Sequence, residues 1–222
     1  PETLTVGIVS SDLTEETIET AGPLVGDFVD RVIDEGGRVV AAGIEPVLAH
    51  PTEAREHSTG DAIDEIEALL DRHANLPARN TRIRRAAGER SFREATRAWG
   101  DQPITDVLDY GNRVSPTAGL SLVDAPSQFE EAATGLVAAG AQIIIHVTDD
   151  GIPTGHPIAP VVKVTGNEQT YEALESDIDV FAGETGPTAF QETMTAVLEG
   201  EKSRAEEHGL SEFAITRVGP TM

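Results

Sequence analysis

Cysteine is absent from the 222-residue chain. That excludes disulfides, thiolate catalysis, zinc ribbons and cysteine-held iron–sulfur clusters built from its own residues. Lysine is nearly absent, with Lys163 and Lys202 standing against fourteen arginines, and aromatic residues make up only 4%. Long apolar runs are missing too. Stretches such as Ala138 to Val147 fall far short of the roughly 20 residues that span a bilayer, and no signal-peptide pattern opens the chain, so a cytoplasmic location is expected. The chain opens at Pro1 and enters a strand-like run at once, which suggests one domain of a longer protein. It has no GxGxxG after a strand, no P-loop, no GxSxG and no HExxH, so nucleotide, serine-hydrolase and zincin readings lack local support.

What is abundant is acid: 39 acidic against 16 basic residues give a net charge of −23. Hydrophobic residues still make up 39%, an ordinary globular share, so the excess charge belongs to a folded surface rather than a disordered tail. Such a surface stays soluble in concentrated salt, where self-repulsion is screened, and a halophilic source is expected. The same charge argues against nucleic acid or an anionic membrane as the main partner.

Leu4 to Val9 reads as a buried strand. Asp12 and Thr14 then cap a short helix, and Pro23 fits the first turn of the next. Leu24, Val25, Phe28, Val29, Val32 and Ile33 line one helix face up to Gly36-Gly37, and Arg38 to Ile44 is a second strand. This is a βαβ unit. Another helix spans about Asp61 to Asn75. Arg79, Arg82, Arg84, Arg85, Arg90, Arg93 and Arg97 then crowd into a basic helical insert at about 77–100, a solvated face, a subunit contact or an anion-attracting site. The second half alternates: strand Gly119 to Val123, helix Gln128 to Ala139, strand Gln142 to Val147, strand Val161 to Thr165, a helix capped by Asn167, a long helix after Pro187 and a final strand over Glu212 to Thr216. The expected fold is a single α/β domain over 1–222, a three-layer, doubly wound, mostly parallel sheet of Rossmann-like type, with ligands at the carboxyl ends of its strands.

The densest chemistry lies between His146 and Asn167. Asp149, Asp150 and His156 suit a divalent cation such as Mg, Mn or Fe(II). Lys163 suits a carboxylate anchor or, once desolvated, a base. Turn chemistry at Asp149-Asp150-Gly151 and a packed core histidine at His146 are the plainer readings.

Four blocks in this half carry a resemblance: Gly119-Leu-Ser-Leu-Val-Asp-Ala-Pro126, Ala133-Thr-Gly-Leu-Val-Ala-Ala-Gly-Ala-Gln142, Gly155-His-Pro-Ile-Ala-Pro-Val-Val-Lys-Val-Thr-Gly-Asn167 and Asp177-Ile-Asp-Val-Phe-Ala-Gly183. Their order and spacing resemble the C-terminal region of the altronate and galactarate dehydratase family, which also includes a sulfolactate sulfo-lyase. Earlier elements, among them Asp106-Val-Leu-Asp-Tyr110, fit more loosely. The resemblance implies loss of water from a sugar acid to give a 2-keto-3-deoxy acid, with a divalent metal, Fe(II) or Mn(II), as cofactor. Thr148, Gly151, Pro153, Gly155, Pro157, Pro160, Lys163 and Asn167 match the family's strand–loop–strand block.

From this the resemblance implies catalytic roles for Lys163, Asp150 and His156, and a metal at Asp149 and His156. It also implies substrate contacts from Ser11, Asp12, Thr148, Gly155 and Asn167, with Lys163 holding the substrate as well. Two departures stand out. Ile8-Val-Ser-Ser-Asp12 keeps the serine and aspartate of the family's Cys-Gly-Gly-Ser-Asp but not its thiol, and the arginine cluster replaces a glycine-rich segment. The implied partners are a small sugar acid and either further copies of the chain or a partner chain supplying an upstream half. A non-catalytic paralogue, or a subunit that completes a partner's site, is the alternative.

Overall fold

A computed structural model describes residues 3–11, 13–74 and 81–216, without the side chains of 81–84. Its elements follow from where apolar residues repeat. The β-branched run Thr5–Ser11 is strand β1, buried over its first five residues. Thr14 caps helix α1 (Glu15–Asp34), its side chain accepting from the Thr17 N–H, with Glu15 and Glu16 in the first turn where the helix dipole favours them. The expected short helix and restart at Pro23 are instead one helix of 20 residues with Pro23 inside it. Burial of Ala21, Leu24, Val25 and Val29 against the sheet outweighs the missing hydrogen bond.

Strand β2 (Arg38–Ala42), helices α2 (Glu45–Ala49), α3 (Pro51–Glu56) and α4 (Gly60–Ala74), and then α5 (Thr81–Gly88) and α6 (Phe92–Ala95) follow. A 3₁₀ turn at Arg97–Trp99 leads to β3 (Ile104–Leu108) and β4 (Gly119–Val123). Helix α7 (Phe129–Ala139), strands β5 (Ile143–Thr148) and β6 (Val161–Thr165), α8 (Glu168–Ala173), the two-residue β7 (Val180–Phe181), α9 (Pro187–Leu198) and α10 (Arg204–Glu207) complete the chain. The basic insert is not an appendage, because Phe92 and Trp99 are buried in the main core. The strand expected over Glu212 to Thr216 does not form. That segment makes single backbone bonds, Glu212 N–H to the Gly155 carbonyl and Ala214 N–H to the Glu130 carbonyl, without a ladder.

The seven strands run in the order β3-β4-β2-β1-β5-β6-β7, and every pairing is parallel. This is the doubly wound α/β arrangement, wholly rather than mostly parallel. One sheet face packs Ile8, Ile145 and Val164 with α1 and α9. The other packs Val9, Ile144 and Val161 under α7 and Ala205 of α10. From β1 the chain winds through α1 to β2 on one side, and β5 to β7 extend the sheet on the other. The boundary between β1 and β5 is therefore the switch point, where parallel α/β sheets open a crevice at their carboxyl ends.

Candidate active site

Alternation along β5 puts Ile143, Ile145 and Val147 against the α1 side and turns His146 and Thr148 the other way. The His146 ring stacks on Phe129, the first residue of α7, with centroids 4.5 Å apart. Its Nε2 lies 2.8 Å from Oγ of Ser11, at the carboxyl end of β1. Burial and the charge of Lys163 push His146 down to about 3, so it is neutral near pH 7, and its Nδ1 is buried without a hydrogen-bond partner among the described residues.

Lys163 is the register partner of His146 on β6. It is 0% exposed, among the largest of the fully buried side chains in the described residues. Its Nζ has no hydrogen-bond partner among the described residues. The nearby Asp179 carboxylate is engaged with backbone instead, accepting from the Lys163 N–H and the Arg204 N–H at 2.8 Å each. Burial pushes the Lys163 ammonium below its usual range, partly opposed by Asp179, Asp177 and Glu212, and burial likewise raises Asp179. An amine in this setting is poised to give up its proton, take one, or bind an anion.

The other expected residues divide. Thr148 is buried and accepts from the Gly151 N–H at 3.3 Å, and Gly151 holds φ +57 with Thr170 and Leu174 where a side chain would go. Asp149 is buried, and both its oxygens are engaged by α1. Thr14 Oγ1 (3.0 Å) and Thr17 Oγ1 (2.5 Å) donate to one, and the Thr14 N–H donates to the other. Asp150 is exposed and borders a separate cavity. The Gly155 amide donates to Glu212 at 3.1 Å, and a Cβ there would lie 2.5 Å from the Leu210 carbonyl. His156 is buried, accepts from the Ile158 N–H at Nδ1, and is lowered by burial. Asn167 caps α8, its Oδ1 accepting from the Thr170 N–H at 3.1 Å. Asp12 lies outside the described residues.

Ser11 thus stands at the switch point, Lys163 lies one strand farther on β6, and the structure adds His146 on β5 between them. Its signal in the sequence was a lone polar residue at an inward position of an apolar strand. Among the described residues, no three His, Cys, Asp or Glu side chains are arranged to hold a metal ion. Of the two expected metal ligands, Asp149 already accepts from three donors at the start of α1 and His156 Nδ1 from the Ile158 N–H, so in this arrangement neither of these groups is free for a cation.

On the α1 side of the same edge, a cavity of about 980 Å³ opens over β1 and β2, bordered by Ser10, Gly43, Ser127, Asp150, Arg90 and Arg97. The arginine cluster divides here. Arg85 pairs with Glu89 and Arg93 with Asp101, while Arg90 reaches the Leu13 carbonyl at 2.8 Å and ties the insert to the end of β1. Arg79 lies outside the described residues, as do the side chains of Arg82 and Arg84. Among the described residues, no helix is long and apolar enough to cross a membrane.

Residues 88–221, more than half of the chain, match the sequence model of the family described as D-galactarate/altronate dehydratase, C-terminal. The chain is 33% identical over 225 residues to the altronate dehydratase of Bacillus subtilis (strain 168), covering 91% of this chain and 45% of that protein. It is 26% identical over 224 residues to the altronate dehydratase of Escherichia coli (strain K12), with the same coverages. The beta subunit of (2R)-sulfolactate sulfo-lyase from Chromohalobacter salexigens is 26% identical over 228 residues, or 89% of this chain and 57% of that protein. The chain spans about half the length of the curated relatives it matches. With its parallel sheet and a block from Gly155 to Asn167 that carries the buried lysine, the chain belongs to the D-galactarate/altronate dehydratase C-terminal family.

Proposed function

We propose that this chain is the C-terminal domain of a sugar-acid hydro-lyase of altronate or galactarate type, with Lys163 as its central amine. The observation that carries the reading is the Lys163 Nζ, fully buried in the middle of β6 with no hydrogen-bond partner among the described residues. An unpaired buried cation is costly to a fold unless it is discharged or meets an anionic ligand. A sugar acid supplies both uses: its carboxylate is a counter-ion, and the C2 proton beside it is the one a neutral amine removes. As the C2–H bond breaks, its electron pair becomes the C2=C3 bond, and the C3 hydroxyl takes a proton from an acid in the site and departs as water. The resulting enol becomes the 2-keto-3-deoxy acid. The names of the two dehydratase relatives support this substrate class.

The partial coverage favours a second reading, in which the chain binds the sugar acid and completes a site formed with a partner half. One experiment separates the two. The chain, alone and mixed with the upstream half of a full-length relative, is given altronate or galactarate in molar KCl without oxygen, and keto-acid formation is followed beside calorimetric binding. Turnover by the chain alone supports the first reading, and turnover only in the mixture supports the second. Absence of both binding and turnover in either arm overturns both.

A further inference from the structure

We infer that Ser11 and His146 form a proton relay for this elimination, with Ser11 touching the substrate oxygen and His146 acting behind it as a positioning residue. This rests on the dehydratase reading and goes beyond it by assigning two groups that the lysine alone does not explain.

The geometry is specific. Ser11 is half-buried at the carboxyl end of β1, and its Oγ is 2.8 Å from His146 Nε2. The imidazole is clamped by its stack on Phe129. Strands β1 and β5 are already paired over six residues by their backbones, so the side-chain contact is not needed to set their register. His146 Nδ1 and Lys163 Nζ are both buried and unpartnered among the described residues, on register partners of adjacent strands. With no acceptor for an Nδ1–H among the described residues, the less costly arrangement places the imidazole proton on Nε2 and leaves the Ser11 hydroxyl proton free to point at a ligand.

The proton balance closes. Lys163 takes the C2 proton, and the C3 hydroxyl leaves as water with the Ser11 proton. The Nε2 proton of His146 replaces the one Ser11 gave, while Nδ1 receives one from Lys163 through a bridging water or a small swing of the lysine chain. In ketonisation the line runs backwards: the enol hydroxyl returns a proton to Ser11, Ser11 to Nε2 and Nδ1 to Lys163, and Lys163 protonates C3. Every group ends as it began.

The charged groups facing this line are Lys163 on β6, which acts on His146, and Asp177, Asp179 and Glu212, which act on Lys163. The test compares Ser11→Ala, His146→Gln and the double variant in the dehydratase assay with both halves present. Glutamine keeps a donor for Ser11 but cannot pass a proton through. Each single variant is expected to lower kcat about 10²-fold or more with KM little changed, and the double variant to fall no further. Wild-type kcat in His146→Gln overturns the relay. If the unmodified protein shows no turnover, the dehydratase reading fails instead, and ¹⁵N histidine spectra of the 222-residue chain still decide the relay. A neutral, Nε2-protonated His146 from about pH 5 to about pH 8 supports it. A proton fixed on Nδ1, or titration near the ordinary histidine value, overturns it.

Discussion

Two buried ionisable side chains stand on either side of one loop, Asp149 at its start and Lys163 in the middle of the strand that follows it, and they are treated in opposite ways. At its start, Asp149 meets three donors from the first turn of α1, which is how a fold stabilises a carboxylate that it keeps. Beyond it, Lys163 is more deeply buried and its Nζ meets no acceptor among the described residues. The donors for Asp149 come from a helix N-terminus already rich in unpaired N–H groups, so its satisfaction is part of how α1 docks on β5. Nothing comparable serves Lys163, because Asp179, the carboxylate that acts on it most strongly, is held by two backbone N–H groups. A fold that tolerates such a group keeps it for what it binds or moves.

The widest separation between the two residues is expected in activity. Lys163→Met should lower turnover by about 10²–10⁴-fold while leaving the melting temperature unchanged or higher, since a flexible apolar chain then fills the space of an unpartnered cation. Lys163→Ala should abolish sugar-acid binding as well. Steady-state kinetics, calorimetry and thermal melts check this, and full activity in Lys163→Met breaks the contrast. Asp149→Ala should behave oppositely, lowering stability by about 3–5 kcal/mol in denaturant titrations, because Thr14 and Thr17 lose a charged acceptor. A nearly neutral effect would show that Asp149 is not what holds α1 to β5.

The acid side of the stability profile sharpens the same point. His146 is lowered to about 3 in the fold and returns to an ordinary value near 6.5 when unfolded, so below that value the unfolded chain binds the extra proton. The stability linked to His146 is therefore complete above about pH 6.5 and lost progressively as pH falls towards 3. The loss is roughly 2–3 kcal/mol by about pH 4.5. Melts of His146→Phe against the parent across that window should show a shallower decline, and parallel profiles would mean that His146 charges freely in the fold.

What the sequence made legible follows the range over which each signal acts. The βαβ opening, β5 and β6 are apolar runs bounded by glycine, and the cap at Asn167 is a local event within three residues. Pro23 was misplaced because the burial that holds α1 together lies outside any local window. The segment over Glu212 to Thr216 alternates like a strand but finds no edge to pair with. Most instructive is His146. Its immediate neighbours, Ile145 and Val147, are apolar, and the partner that gives it meaning, Ser11, lies 135 positions away. Only the strand order brings them together.

Surface charge gives the smaller effects. If the net charge of −23 is a salt adaptation, moving from low salt to molar KCl should raise the melting temperature by about 3–8 °C, equivalent to roughly 1–2 kcal/mol at this chain length, and a flat response would remove that reading. Smallest of all, the arginine insert separates by burial. Arg93 pairs with Asp101 in the open, with side chains 51% and 74% exposed. Arg93→Ala should therefore change stability by less than about 0.5 kcal/mol. Arg90 instead satisfies the half-buried carbonyl of Leu13, so Arg90→Ala should cost about 1–2 kcal/mol and loosen the end of β1 beside Ser11. Hydrogen exchange confined to residues around Leu13 would show it. Equal, negligible losses in the two variants would mean that the insert is only a solvated face and does not help to shape the crevice.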